Sequence, residues 1–259
     1  MNTRIGIAVL LLLWFMDVHQ APANDVPNTS YGGTTHLVRD GNAMALSNKG
    51  LQLMNSGRSA EAVKYFTTAI ERDPNAYLLR YNRAVCYTRM SRWGLALEDL
   101  NSCTRLKPTY SAGFFLRAVV NDRLGNFTAS LADFDSLVKA HPDDWGIRDA
   151  RASLLATCPD SSVRNGPAAI NEAMTVCKMS NWVRAEFIDT LAAAYAEAGD
   201  FDAAIRFEQK AIERAHGAKG YTSGMERRLV LYQKHQPYRE SLGTASRDRS
   251  KSANLAGSD

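Results

Sequence analysis

Most of the signals that announce chemistry are missing from this 259-residue chain. A formal net charge of +4 is too small to argue for nucleic acid, and no basic stretch interleaved with aromatics occurs. The four cysteines (Cys86, Cys103, Cys158 and Cys177) make no CxxC pair, and none has a histidine at metal-ligand spacing. No metal and no other cofactor is therefore expected. No glycine-rich phosphate loop is present, because the nearest stretch, SGRSAEAV from Ser56, lacks the GK[ST] ending. The histidines (His19, His36, His141, His216 and His235) fall near the ends or in boundaries and loops, and the carboxylates are spread over helix faces. Nothing pairs a nucleophile with a base, so an enzyme is not expected.

Long hydrophobic runs are also missing, with one exception. MNTR, then the twelve-residue apolar run IGIAVLLLLWFM, then APA at Ala21–Ala23 is the layout of a secretory signal peptide. Twelve apolar residues are too few to span a bilayer comfortably. Residues 1–23 are read as that signal, with an uncleaved anchor as the alternative, and the mature chain is expected to begin near Asn24 and to be periplasmic or secreted. No stable membrane span is expected after cleavage. Residues 24–42 are turn-formers without periodicity and read as a flexible leader.

What the chain does have is alanine in register. Three successive 34-residue windows start at Ala43, Tyr77 and Ser111, and each carries proline at position 32: Pro74, Pro108 and Pro142. Position 8 is Gly50, Ala84 and Ala118; position 20 is Ala62, Ala96 and Ser130. Position 24 is large (Phe66, Leu100, Phe134), and position 27 is Ala69, Cys103 and Leu137. A fourth window starts on phase at Trp145, but CPDSSVRNG lengthens its central turn and its second helix resumes at Ala169. A fifth starts at Ala185, with Ala192 at position 8, Ala204 at 20 and Ala211 at 27. Two helices approach to about 8 Å only where facing side chains are very small, so positions 8 and 20 are the close contacts of a helical hairpin. Gly57, Ser91, Gly125 and Gly199 mark the turns inside the hairpins.

This pattern resembles the tetratricopeptide repeat (TPR) family, and segments such as LLATCPD look like those of exported bacterial members. The resemblance implies an all-α fold: a right-handed α-solenoid of five helix-turn-helix repeats (43–76, 77–110, 111–144, 145–184 and 185–218). Glu208 departs from the pattern, standing where position 24 is otherwise apolar. After the repeats, residues 221–236 read as a capping helix with an apolar stripe of Met225, Leu229 and Tyr232. Residues 237–259 read as a disordered tail. Cys158 and Cys177 would lie more than about 10 Å apart along antiparallel helices, and free thiols are expected throughout.

In arrays of this family the concave face is lined by the first helix of each repeat, at positions 2, 5, 9, 12 and 13. In repeats 1 to 3 that implies an apolar floor open to solvent, and the expected peptide-binding groove comprises Leu51, Leu78, Tyr81, Asn82, Val85, Arg89, Phe115, Val119 and Arg123. Apolar side chains would anchor an extended or helical peptide, and the two arginines would orient it. Tyr81, Val85, Phe115 and Val119 are its expected centre, outside the inter-helix seam. In repeats 4 and 5 the same positions are small and acidic, among them Asp149, Ala156, Thr157, Glu186, Asp189 and Glu197. That charge difference is one way to orient a partner. The carboxylate-clamp members use defined basic and amide positions, here Ser47, Leu51, Asn82, Ala112 and Leu116, and only Asn82 matches. The expected function is an exported scaffold that binds a protein or peptide segment. The alternative is a structural subunit of an envelope assembly, docking through convex or end faces.

Overall fold

Residues 41–215 and 222–241 are described by a computed structural model of the chain. Residues 1–40, 216–221 and 242–259, which include the expected signal peptide and most of the expected leader and tail, lie outside the described residues. Within them the chain is all helix: eleven α-helices and no strand. It divides into two compact units, Met1–Asn126 and Phe127–Asp259.

The first unit holds α1 (Gly41–Asn55), α2 (Ser59–Arg72), α3 (Tyr77–Arg89), α4 (Trp93–Leu106) and α5 (Ser111–Arg123). Helix α1 begins two residues earlier than the first window, so Gly41 and Asn42 belong to it and not to a leader. The small residues do what their spacing implies. Ala62, Ala69, Ala84, Ala96 and Ala118 are all at 0% exposure, and a Cβ placed on Gly50 would stand 2.7 Å from Phe66 Cε1. Phe66 and Leu100 fill the seam beside them. The turn residues have the left-handed backbone that lets one helix reverse into the next: φ is +78° at Gly57 and +57° at Ser91. Glycine adopts that conformation freely, whereas serine is strained there.

The second unit holds α6 (Phe127–Ala140), α7 (Trp145–Thr157), α8 (Gly166–Met179), α9 (Ala185–Glu197), α10 (Phe201–Arg214) and α11 (Thr222–Gln233). Ala152, Ala169, Ala192, Ala204 and Ala211 are again at 0% exposure. Three helices are capped by side chains at their N-termini: the Asp144, Asn165 and Asp200 carboxylate or amide oxygens accept from Ile147, Ala168 and Ala203 N–H. The lengthened turn of the fourth repeat is pinned by Arg164, which donates to the Cys158 and Pro159 carbonyls and pairs with Glu197 at 2.9 Å. Helix α11 packs on α10, with Met225 and Tyr232 buried and Leu229 half-buried.

The expectation of a tail without structure from residue 237 does not hold for its first residues. Residues 237–241 return to α7, where the Glu240 N–H donates to the Thr157 carbonyl at 2.9 Å and Arg239 pairs with Glu197 at 2.5 Å. All four cysteines are free and buried. Among the described residues no helix is long and apolar enough to cross a membrane.

Candidate functional site

An arginine recurs at window position 7, and the structure shows its work. Arg83, Arg117 and Arg151 each reach back sixteen residues to the second helix of the preceding window, contacting Thr67, Asn101 and Asp135 respectively. Arg83 also makes a two-pronged pair with buried Asp99, at 2.7 and 2.8 Å. Arg80 and Arg148 likewise donate to the carbonyls of Pro74 and Pro142. These arginines stitch repeat to repeat, and their 34-residue spacing was legible in the sequence. Attention to the alanines alone passes over them.

The expected groove of the first unit is assembled differently from the sequence reading. Val85, Phe115 and Val119 are at 1%, 2% and 5% exposure, so they belong to the interior and form no open floor. Position 9 is therefore buried in the second and third repeats, and at Phe115 position 5 is buried as well. Tyr81 is half-buried with its ring edge-on to Tyr110 at 5.2 Å, and burial pushes its hydroxyl up to about 12. Leu51, Leu78, Asn82 and Arg123 are half-buried, and Arg89 is exposed. The Arg89 guanidinium donates to the Met54 carbonyl at 2.6 Å, beside the Gly57 N–H that donates to the same oxygen at 3.1 Å. Position 2 supplies an exposed apolar residue as well, Met44 at 49%. What remains accessible of these positions is Met44, Leu51, Leu78, Tyr81, Asn82, Arg89 and Arg123.

In the second unit the acidic positions are not a solvated face either. Asp149 is at 0% exposure, and burial pushes its carboxyl well above the usual carboxylate range, with the Thr190 hydroxyl opposing and the Glu186 and Asp189 charges adding. Asp189 is at 2% and is held by Arg228 of α11, whose Nε lies 2.7 Å from Oδ1. Glu208, at 0%, stands 3.4 Å from the same guanidinium. Burial first and the Asp189 charge second raise the Glu208 carboxyl well above its ordinary range, against the pull of Arg228. Two carboxylates thus share one arginine, and the one that is farther from it, Glu208, has the raised carboxyl. The charge difference between the halves of the sequence is spent largely inside: Asp189 on Arg228, Glu186 on Arg184, Glu197 on Arg164 and Arg239. Glu208 at an otherwise apolar position was the visible sign; its partner, in a helix outside the repeats, was not.

One part of that first-helix face is occupied. The last four carbonyls of α7 all have donors: Leu154 accepts from Cys158, Leu155 from Asn165, Ala156 from Arg239 and Thr157 from Glu240. Ala156, Thr157 and Glu197 stand at window positions 12 and 13, and residues 239–240 contact all three. Tyr238 packs in the cluster of Ala192, Ala196 and Tyr232, under the Arg228 guanidinium at 5.5 Å. No group of three or more His, Cys, Asp or Glu side chains among the described residues is arranged to hold a metal.

Comparison with known proteins places this geometry. Residues 48–111 match the family model described as tetratricopeptide repeat. Serine/threonine-protein phosphatase 5 of Rattus norvegicus is 36% identical over 83 residues, covering 32% of this chain and 17% of the phosphatase. Among solved structures, MamA (residue 41 to the end) from Desulfovibrio magneticus RS-1 superposes with a TM-score of 0.62 at 13% identity, covering 70% of this chain and 99% of that one. YrrB, described as a TPR protein with an unusual peptide-binding site, superposes with a TM-score of 0.59 at 16% identity, covering 71% of this chain and 91% of that one. The chain has the all-α helical-repeat fold of tetratricopeptide repeat proteins, and residues 48–111 carry that family's repeat.

Proposed function

We propose that this chain is a protein-binding scaffold that holds an extended segment of another protein against the first helices of its repeats. The observation that carries the reading is in the second unit. There the ends of α7 and α9 already hold a stretch that is neither helix nor strand, residues 237–241, by a main-chain hydrogen bond and an ion pair. Main-chain contacts give such a surface affinity for extended chain in general, and side-chain contacts select the sequence. The description of YrrB as having a peptide-binding site concerns that protein, and it fits the same use of the fold.

On the first unit the binding site is the groove expected from the sequence, reduced to what is accessible. Leu51, Leu78 and Asn82 make the contact surface, Tyr81 and Arg89 its border, and Val85, Phe115 and Val119 support it from within. Arg123 marks its far limit. Recognition of a terminal carboxylate by a clamp does not suit the residues present, since Leu51, Ala112 and Leu116 replace its polar positions. The signal-like residues 1–23 support a site of action outside the cytoplasm, in a periplasmic or secreted fraction.

The test is capture from that fraction by the tagged mature chain. Leu78→Ala with Asn82→Ala should lose most of what the wild type retains, because a few side chains that become desolvated at the centre of an interface commonly carry most of its affinity. Leu95→Ala, on the second helix α4 where Leu95 is 40% exposed, should retain it. Equal capture by both variants contradicts the reading.

A further inference from the structure

In the first unit, the turn between α1 and α2 and the end of α3 enclose a cleft of about 360 Å³, lined by residues 57–61, Arg89 and Met90. That volume lies within the range of about 300–1,000 Å³ that small ligands occupy. The wall carries one net positive charge, two arginines less one glutamate. Arg58 spends its charge on Glu61, through hydrogen bonds at 2.5 and 2.6 Å. Arg89 does not. One of its nitrogens is fixed on the Met54 carbonyl at 2.6 Å, and the guanidinium has no carboxylate partner among the described residues. Its remaining N–H groups form a positioned fork of the kind that suits a carboxylate.

Neutral donors line the same cleft. Helix α2 leaves its first N–H groups without intrahelical acceptors, and Arg58 at its cap supplies no side-chain acceptor. The Ser59 and Ala60 N–H groups have no other acceptor among the described residues. Ser59 is only 7% exposed, and its hydroxyl has no hydrogen-bond partner among them either. A polar group buried to that extent is ordinarily paired, and the cleft is where a ligand can supply the acceptor. Donors on every side call for an anion. Glu61 in the same wall repels a second negative charge, so a carboxylate suits the cleft better than a phosphate dianion. Half-buried Met90 offers apolar surface to the aliphatic part of an acidic side chain. The clamp positions Ser47, Leu51, Asn82, Ala112 and Leu116 lie outside this cleft.

Leu78, Asn82 and Arg89 follow one another at helical spacing on one stripe of α3, so the cleft continues the contact surface of the first unit. From Leu78 to Arg89 the helix rises about 16 Å, a span that about five extended residues cover. We propose that the cleft receives the side-chain carboxylate of an aspartate or glutamate in the partner segment, about five residues from the one that contacts Leu78. This rests on the reading that first-helix faces hold extended chain, and it adds a sequence requirement to the ligand.

The probe is sodium acetate, titrated into the full chain against sodium chloride at constant ionic strength, with the Ser59 and Ala60 amide resonances followed by NMR. Saturable shifts at both amides are expected. Arg89→Ala and Ser59→Ala should each weaken acetate about tenfold, the worth of one hydrogen bond to a charged group. Arg72→Ala, an exposed arginine at the far end of α2, should leave it unchanged. The absence of a saturable shift in the wild type, or unchanged affinity in both cleft variants, overturns the proposal. Inorganic phosphate at about pH 8 should bind less tightly than acetate, and tighter binding overturns the carboxylate assignment in favour of a phosphorylated ligand. In the capture experiment Arg89→Ala should retain less partner than wild type. Capture that depends on Leu78 and Asn82 but is indifferent to Arg89→Ala retires this inference and leaves the proposed function standing.

Discussion

Glu208→Leu restores to the fifth repeat the kind of residue that the first three carry at the same position, and it should stabilise the protein. In the wild type, Asp189, Glu208 and Arg228 are buried together at 2%, 0% and 12% exposure, the last two for their side chains alone. One guanidinium serves two carboxyls. Removing Glu208 leaves a one-to-one pair, with Arg228 still 2.6 Å from Asp189, and places an apolar side chain where Leu100 sits in the second repeat. Exchanging a buried polar or ionised group for a packed hydrophobic one is commonly worth about 1–4 kcal/mol, and the lower half of that range is expected here because the Asp189–Arg228 pair stays buried. Arg228→Ala is the opposite perturbation. It strands two buried acids and should cost about 3–5 kcal/mol.

The pH dependence separates this account from simple packing. The folded-state pKa of Glu208 is raised, so above its unfolded value the native state holds a proton that the unfolded chain has released. Its contribution is therefore fully present below about pH 4 and is lost as pH rises through the folded value, at no more than about 1.4 kcal/mol per pH unit. Asp149, raised in the same sense, adds a slope of the same sign. Urea unfolding followed by far-UV circular dichroism across this range reads both effects. The leucine variant should be more stable than wild type near neutral pH, by a margin that shrinks on acidification. A variant less stable than wild type at neutral pH, or a constant margin, refutes the reasoning.

Three further outcomes follow from the geometry. Gly50→Ala gains about 1 kcal/mol of helix propensity but drives a methyl into the Phe66 ring, so a net loss of about 1–3 kcal/mol is expected in urea melts, as for Ala62→Leu and Ala96→Leu. Ser91→Gly should raise stability by about 1 kcal/mol, since its φ of +57° is strained for serine and free for glycine; a loss would mean that the Ser91 side chain itself holds the turn. Burial pushes the Cys86 thiol up to about 11 and those of Cys103 and Cys177 to about 12, so alkylation near pH 8 should be slow on the native chain and immediate in denaturant. Rapid native labelling of these three would contradict their burial.

The hairpins were legible because their rule is steric. A residue that must be small is visible as small, and Ala62, Ala96 and Ala204 needed no tertiary information to be recognised. The arginine stitches were also periodic, and only their partners required coordinates. The concave face was less legible, because position numbers state a place in the repeat and not how deeply the surroundings bury it. Val85, Phe115 and Val119 occupy the expected positions and are buried all the same. Least legible were contacts that join repeats to sequence outside them. Nothing periodic in the chain indicates that Arg228 meets Asp189 and Glu208, or that Tyr238 and Arg239 return to α7 and α9. A polar, serine-rich terminus reads as solvent-exposed until a carboxylate such as Glu197 is seen to receive it.

The central claim is that the first helices of the repeats hold the partner. Hydrogen exchange of the full chain with and without its captured partner tests it directly. The account predicts added protection in residues 77–89, with little change in the second helices beyond the cleft, residues 62–72 and 93–106. Protection confined to those second helices or to α11 would contradict it and assign the chain to an assembly through its outer or end faces.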